Sequence, residues 1–92
     1  MFTVRQSSRF ERDITRLTKK NRAVASIFER SLNVLEVDPF NLSRMYRVKK
    51  LTDITKGNGQ WRLRIDKYRI RYDISNTEVI LHSIKPRKDA YR

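Results

Sequence analysis

Residues 61–74 constrain this chain more than any other stretch. Trp61, Leu63 and Ile65 alternate with Arg62 and Arg64. After Asp66-Lys67, Tyr68, Ile70, Tyr72 and Ile74 alternate with Arg69, Arg71 and Asp73. Strand side chains point to opposite faces with period two, so the segment reads as a β-hairpin with one apolar face and one arginine-rich face. Trp61, Tyr68 and Tyr72 fall in phase with the aliphatic residues and are expected in the core, not as platforms for stacked bases. The other face is expected to expose Arg62, Arg64, Arg69 and Arg71.

The remaining segments supply a layer for that hairpin to pack against. Phe2 and Val4 alternate with Thr3 and Arg5, predicting a short strand over residues 1–6. Ser8 followed by Glu11 matches a capping box, with Ser7 or Ser8 as the cap. Phe10, Ile14 and Leu17 then recur at helical spacing, predicting a helix over residues 8–20. Val24, Ile27, Phe28, Ser31 and Leu35 form the face of a second helix. Pro39 disfavours helical geometry at Asp38 and should stop it near Val37. The two helices read as a hairpin. Residues 39–60 are the least regular part, with a short strand or extended arm at 46–51 and a turn at Lys56-Gly57-Asn58-Gly59. Residues 78–84 are apolar at almost every position, as for a strand buried on both sides, and Pro86 ends it. The expected architecture is α+β, in the order β-α-α-(β)-β-β-β. The two N-terminal helices pack on the apolar face of a small, mainly antiparallel sheet. At 92 residues the chain has length for one domain, 1–92, with one modest core.

Charge narrows the function. Twenty-two Lys and Arg against ten Asp and Glu give +12. An excess of this size destabilises the compact state by self-repulsion and attracts polyanions by counterion release. Nucleic acid is the leading partner; an acidic protein also fits. With no cysteine, disulfides and thiolate metal sites are excluded. The opening MFTVRQSSRFERD lacks the apolar stretch of a signal peptide, and no apolar run could span a bilayer. A soluble cytoplasmic protein with no membrane role is the expectation. No Gly-rich phosphate loop, metal cluster or Ser/His/Asp set is apparent, and no cofactor is expected.

The segment W-R-L-R-I-D-K-Y-R-I-R-Y-D-I, followed by E-V-I-L-H-S-I-K-P-R-K-D-A-Y-R, resembles the C-terminal half of RelE/ParE superfamily toxins. F-x-x-D-I-x-R-L-x-K-K, Phe10 to Lys20, resembles their first helix, and Lys49-Lys50-Leu51 ahead of the hairpin also fits. The resemblance covers essentially the whole chain. It implies a toxin of a type II toxin–antitoxin system, silenced by an acidic cognate antitoxin in a hetero-oligomeric complex. RelE-like members cleave messenger RNA, typically in the ribosomal decoding site; ParE-like members inhibit DNA gyrase instead.

A ribosome-dependent endoribonuclease is the first expectation. Such an enzyme cuts RNA by attack of the ribose 2′-hydroxyl on the adjacent phosphorus. The protein must orient that attack, stabilise a phosphorane-like anion and manage two protons. Arginine suits the anion, because its planar fork pairs with phosphate oxygens and stays charged. By the resemblance, Arg69 and Arg87 contact the scissile phosphate and Tyr91 orients the substrate. Arg64 joins the catalytic set. Arg62, Arg71, Lys49, Lys50, Lys85 and Lys88 are the RNA-binding candidates, with Arg71 open to pairing with Asp66 or Asp73 instead. The sequence departs from the family where many relatives carry a histidine just before the tail arginine, since Pro86 stands there. Lys49, Lys50 and His82 are the remaining candidates for a base, His82 also reading as a satisfied strand histidine. The basic backs of the helices, Arg9, Arg12, Arg16, Lys19, Lys20 and Arg22, read either as solvated surface or as a contact with ribosomal RNA. The alternatives in function are a gyrase-directed toxin and a non-toxic basic nucleic-acid-binding module.

Overall fold

The structure, a computed structural model, describes residues 1–87. Strand β1 (Thr3–Gln6) leads into helix α1 (Ser8–Lys20) and helix α2 (Ala23–Val37). Strands β2 (Arg47–Lys50), β3 (Trp61–Ile65), β4 (Tyr68–Ser75) and β5 (Glu78–Pro86) follow. The extended arm at 46–51 is a true strand, so the sheet has five strands in the order β1-β5-β4-β3-β2. The pairings are antiparallel except that of β1 with β5.

Local chemistry sets the helix boundaries. Ser7 is extended (φ −72°, ψ 162°) and its hydroxyl accepts from the Phe10 N–H. With Ser7 as cap, Phe10 occupies the third helical position, so the expected box through Glu11 does not form; Glu11 lies in the first turn, where a carboxylate still complements the helix dipole. Asn21 makes the turn between helices, its side chain accepting from Ala23 N–H at 3.0 Å. The second helix ends at Val37, ahead of Pro39, as expected.

Both helices lie against the same face of the sheet. Phe10, Val24, Ile27 and Leu35 meet Leu63, Ile70, Tyr72, Val79, Leu81 and Ile84 in one core. Each large side chain fully withdrawn there contributes about 1.5–3 kcal/mol of hydrophobic stabilisation. Tyr72 is completely buried and its hydroxyl donates to the Pro39 carbonyl at 2.7 Å. Burial, and then the Asp38 charge, push its pKa far up, so the phenol stays protonated. Trp61 stacks on Tyr72 and meets Phe40 edge-on, confirming the aromatics as core.

Strand β5 departs from the expected reading. Its dense apolar run reflects a register break more than burial on both faces. Tyr72 pairs with Leu81 but Arg71 pairs with Ser83, leaving His82 as an extra residue. This β-bulge re-phases the strand, so that Leu81 and Ile84 both reach the core although three residues apart. Beyond the end of β1, α1 covers the open edge of β5. The Ser7 N–H donates to Leu81 O at 3.0 Å and the Ser7 hydroxyl to His82 O at 3.1 Å. Among the described residues no helix is long and apolar enough to cross a membrane.

Candidate nucleic-acid interface

The face of the sheet turned away from the helices carries the arginines, and strand register aligns them. Arg47 on β2 opposes Arg64 on β3, Arg64 opposes Arg69 on β4, and Arg69 opposes Lys85 on β5. Four cations therefore form one continuous row across four strands. The next row runs Lys49, Arg62, Arg71 and Ser83. Directly opposed side chains have Cβ atoms about 4.5–5.5 Å apart, and like charges so placed are destabilising. Arg87 joins the first row's end of the sheet, its N–H donating to the Lys67 carbonyl of the β3–β4 turn at 2.6 Å.

This face is not the open arginine surface that alternation predicts. Arg69 is only 8% exposed. Arg62 and Arg64 are half-buried, while Arg47, Lys49, Lys85 and Arg87 are exposed. The row thus has exposed rims and a sunken centre. The Nε of Arg62 is buried without a hydrogen-bond partner among the described residues.

Arg71 sits differently from its neighbours. It pairs with neither Asp66 nor Asp73. Its Nε donates to Gly59 O at 3.0 Å and its Nη2 to Asn58 O at 2.7 Å. Asp73, itself buried, accepts from Gly59 N–H at 2.9 Å and Gln60 N–H at 3.1 Å. Together they clamp the 56–60 turn onto the sheet. Gly59 is required there: its φ is +78°, and a Cβ would lie 2.9 Å from that of Arg71 and 3.3 Å from that of His82.

His82, set on this face by the bulge, is half-buried. Burial first, then the Arg9 and Arg71 charges, hold its pKa below the usual 6.5, against weaker opposing effects of Asp73 and Asp13. The imidazole is therefore neutral at neutral pH.

Two adjacent lysines separate. Lys49 faces the cationic side opposite Arg62. Lys50 is in phase with the core side, its Nζ 5.7 Å from the Trp61 ring centroid. Lys88 and Tyr91 lie outside the described residues. Arg47 is a member of the row that sequence reading did not single out; the alternation Arg47-Val48-Lys49 carried the signal, in a segment too short to fix a strand unaided. The basic residues of α1 point outward, with Arg12, Arg16, Lys19 and Lys20 along a groove on its solvent side. Among the described residues no cluster of His, Asp and Glu is placed to hold a metal ion.

Solved structures share this architecture. The toxin–antitoxin complex RelBE2 from Mycobacterium tuberculosis contains a chain 24% identical, with a TM-score of 0.70 over 92% of this chain and 96% of that one. YafQ from E. coli is 12% identical, with a TM-score of 0.71 over the full length of both chains. The RelB–RelE antitoxin–toxin complex from Methanococcus jannaschii contributes a chain 19% identical, with a TM-score of 0.62 over 95% of this chain and 94% of that one. The fold is thus that of the small RelE-like toxins. No curated protein sequence matches the chain significantly. The model of one sequence family, described as the ParE toxin of the type II toxin–antitoxin system parDE, matches residues 4–91, and the chain belongs to that family within the RelE/ParE superfamily.

Proposed function

We propose that the chain acts as an endoribonuclease toxin, cleaving messenger RNA on the ribosome at the cationic hairpin end of its sheet. The single observation that carries this reading is the cross-strand row Arg47–Arg64–Arg69–Lys85. Cations set against cations destabilise the free protein, and a polyanion threaded along the row relieves that repulsion. Arg69, Arg64 and Arg87 stabilise the scissile phosphate. Arg62, Lys49 and Lys85 hold flanking backbone. Tyr91 and Lys88 enter the proposal from the family resemblance alone. Arg71, spending two nitrogens on backbone carbonyls, supports the site's shape and adds charge. Lys50 approaches RNA only from the edge of β2.

In the reaction the 2′-oxygen bonds to phosphorus and the P–O5′ bond breaks. The 2′-hydroxyl proton leaves to a base and the 5′-oxygen takes one up, leaving a 2′,3′-cyclic phosphate and a 5′-hydroxyl. The protein's share is electrostatic, and one positioned donor at such a centre is worth about 3 kcal/mol. The proposed setting is the cytoplasm, with an acidic antitoxin as the silencing partner.

Induction in cells, followed by mapping of messenger 5′ ends, tests the reading. Cuts within translated codons are expected, and Arg69→Ala or Arg87→Ala should abolish toxicity in a folded protein. Full toxicity of both variants would remove the site assignment. A second reading, a toxin directed at DNA gyrase, is favoured by the ParE description of the matched family and by Pro86 at the position where many relatives carry histidine. DNA breaks and an SOS response with intact messenger would support it instead.

A further inference from the structure

At one edge of the cationic row lies a groove of about 390 Å³, between α2, residues 45–47 and the end of β3. Val34 and Ile65 give it apolar walls, Tyr46 an aromatic ring and Asp66 a carboxylate. Arg47 and Arg64 line it as well. These two arginines are the directly opposed pair that begins the cationic row. The groove is therefore continuous with the face proposed to hold RNA backbone.

Its walls are held in place from outside. The Asn41 side chain donates to Tyr46 O at 2.7 Å and accepts from Tyr46 N–H at 3.0 Å, which fixes the backbone carrying the ring. Asp66 stands in the β3–β4 turn with φ +52°. Its Oδ2 is 3.8 Å from Arg30 Nη2 on α2, in a pair whose side chains remain 59% and 45% exposed. Arg30 thus offsets the carboxylate charge without enclosing it.

We propose that this groove receives one nucleobase of the bound RNA, and that Asp66 makes it selective for guanine. The inference rests on the RNA-directed reading above and adds a base-reading subsite to it. Proteins read single-stranded RNA by stacking splayed bases on aromatic rings and hydrogen-bonding their Watson–Crick edges. The cavity is within the size range of small-molecule sites and admits a purine. An ionised carboxylate only accepts hydrogen bonds. Guanine presents two adjacent donors, N1–H and the N2 amino group, and can satisfy both oxygens. Uracil presents one N–H between two carbonyl oxygens, which the carboxylate repels. Adenine and cytosine each offer one amino donor beside a ring-nitrogen acceptor. Arg47 and Arg64 meanwhile face the phosphates flanking the base.

The test uses non-cleavable RNA, so that binding is read apart from catalysis. A labelled 2′-O-methyl uridine tetramer is titrated with the full chain, as is the same tetramer with one guanosine walked through its positions. Guanosine at one position should tighten binding about tenfold, and hypoxanthine there, which lacks the amino group, should lose most of that gain. Asp66→Asn keeps a residue that tolerates the left-handed turn, and should cut the preference below about threefold. Tyr46→Ala should weaken binding of every base, while Tyr46→Phe retains it. Equal binding of all tetramers, or an unchanged preference in Asp66→Asn, overturns the proposal even if the protein cleaves RNA. Guanine-selective binding without cleavage supports the groove and removes the nuclease reading alone. Variants that bind RNA normally but lose the antitoxin would assign the groove to the protein partner and overturn the proposal.

Discussion

Arg69 and Arg71 lie two residues apart on one strand and one face, yet their surroundings differ. Arg69 is sunk in the middle of a row whose cross-strand neighbours, Arg64 and Lys85, are cations too. Arg71 is tied to the carbonyls of Asn58 and Gly59, beside an Asp73 carboxylate that holds the N–H groups of the same turn. At the clamp, charge is consumed internally and shapes the fold. In the row, register concentrates charge of one sign, and the fold bears that cost. The contrast separates structural arginine from arginine available to a polyanion, a distinction residue type cannot make.

That contrast can be broken experimentally. The largest expected effect is on chemistry: Arg69→Ala should lower RNA cleavage by about 10²–10³-fold in single-turnover assays. Cleavage within threefold of the parent would empty the row of its catalytic meaning. Asp73→Ala should leave two N–H donors of the clamped turn without acceptors and cost about 3 kcal/mol in urea unfolding. Gly59→Ala should cost about 1–3 kcal/mol by the same measurement, because alanine must hold a positive φ and press on Arg71. A loss below half a kcal/mol in both variants would mean the turn is not clamped in solution.

Smaller effects sharpen the comparison. The slope of log affinity against log salt for single-stranded RNA should fall by about 0.7 in Arg64→Gln, one phosphate contact, and stay unchanged in Arg71→Gln. Equal slopes for the two variants would erase the distinction. His82 gives the least effect. Its folded pKa lies below 6.5, so the unfolded chain binds more protons in the interval between the two values. Stability should therefore decline as pH falls from 6.5 toward the folded pKa, and His82→Gln should remove that dependence. A parent whose unfolding midpoint ignores pH in this interval would contradict the imidazole's placement.

Much of the fold is legible because it depends on periodicity alone. Two helices with apolar faces and a hairpin with one apolar side leave few ways to bury their surface, and the core follows from Phe10, Leu17, Ile27, Leu63, Ile70 and Tyr72. The site is less legible. Lys49 and Lys50 look equivalent in a basic run, but strand geometry sends them to opposite faces. His82 looks like one residue of an apolar strand until the bulge turns it beside Arg71 and Gly59. The turn at 56–60 is readable as a turn, but not as a lid fastened by residues thirteen or fourteen positions away.

By itself the sequence determined the element types, the apolar face of each and the surplus of positive charge, since each of these is a property of neighbours along the chain. The tertiary structure decided which cations oppose one another, which arginine is spent on the backbone, and which side chains ring the groove at Tyr46 and Asp66. Those depend on strand register, one bulged residue and the return of a distant turn. Such relations arise from packing between segments, and no local pattern encodes them.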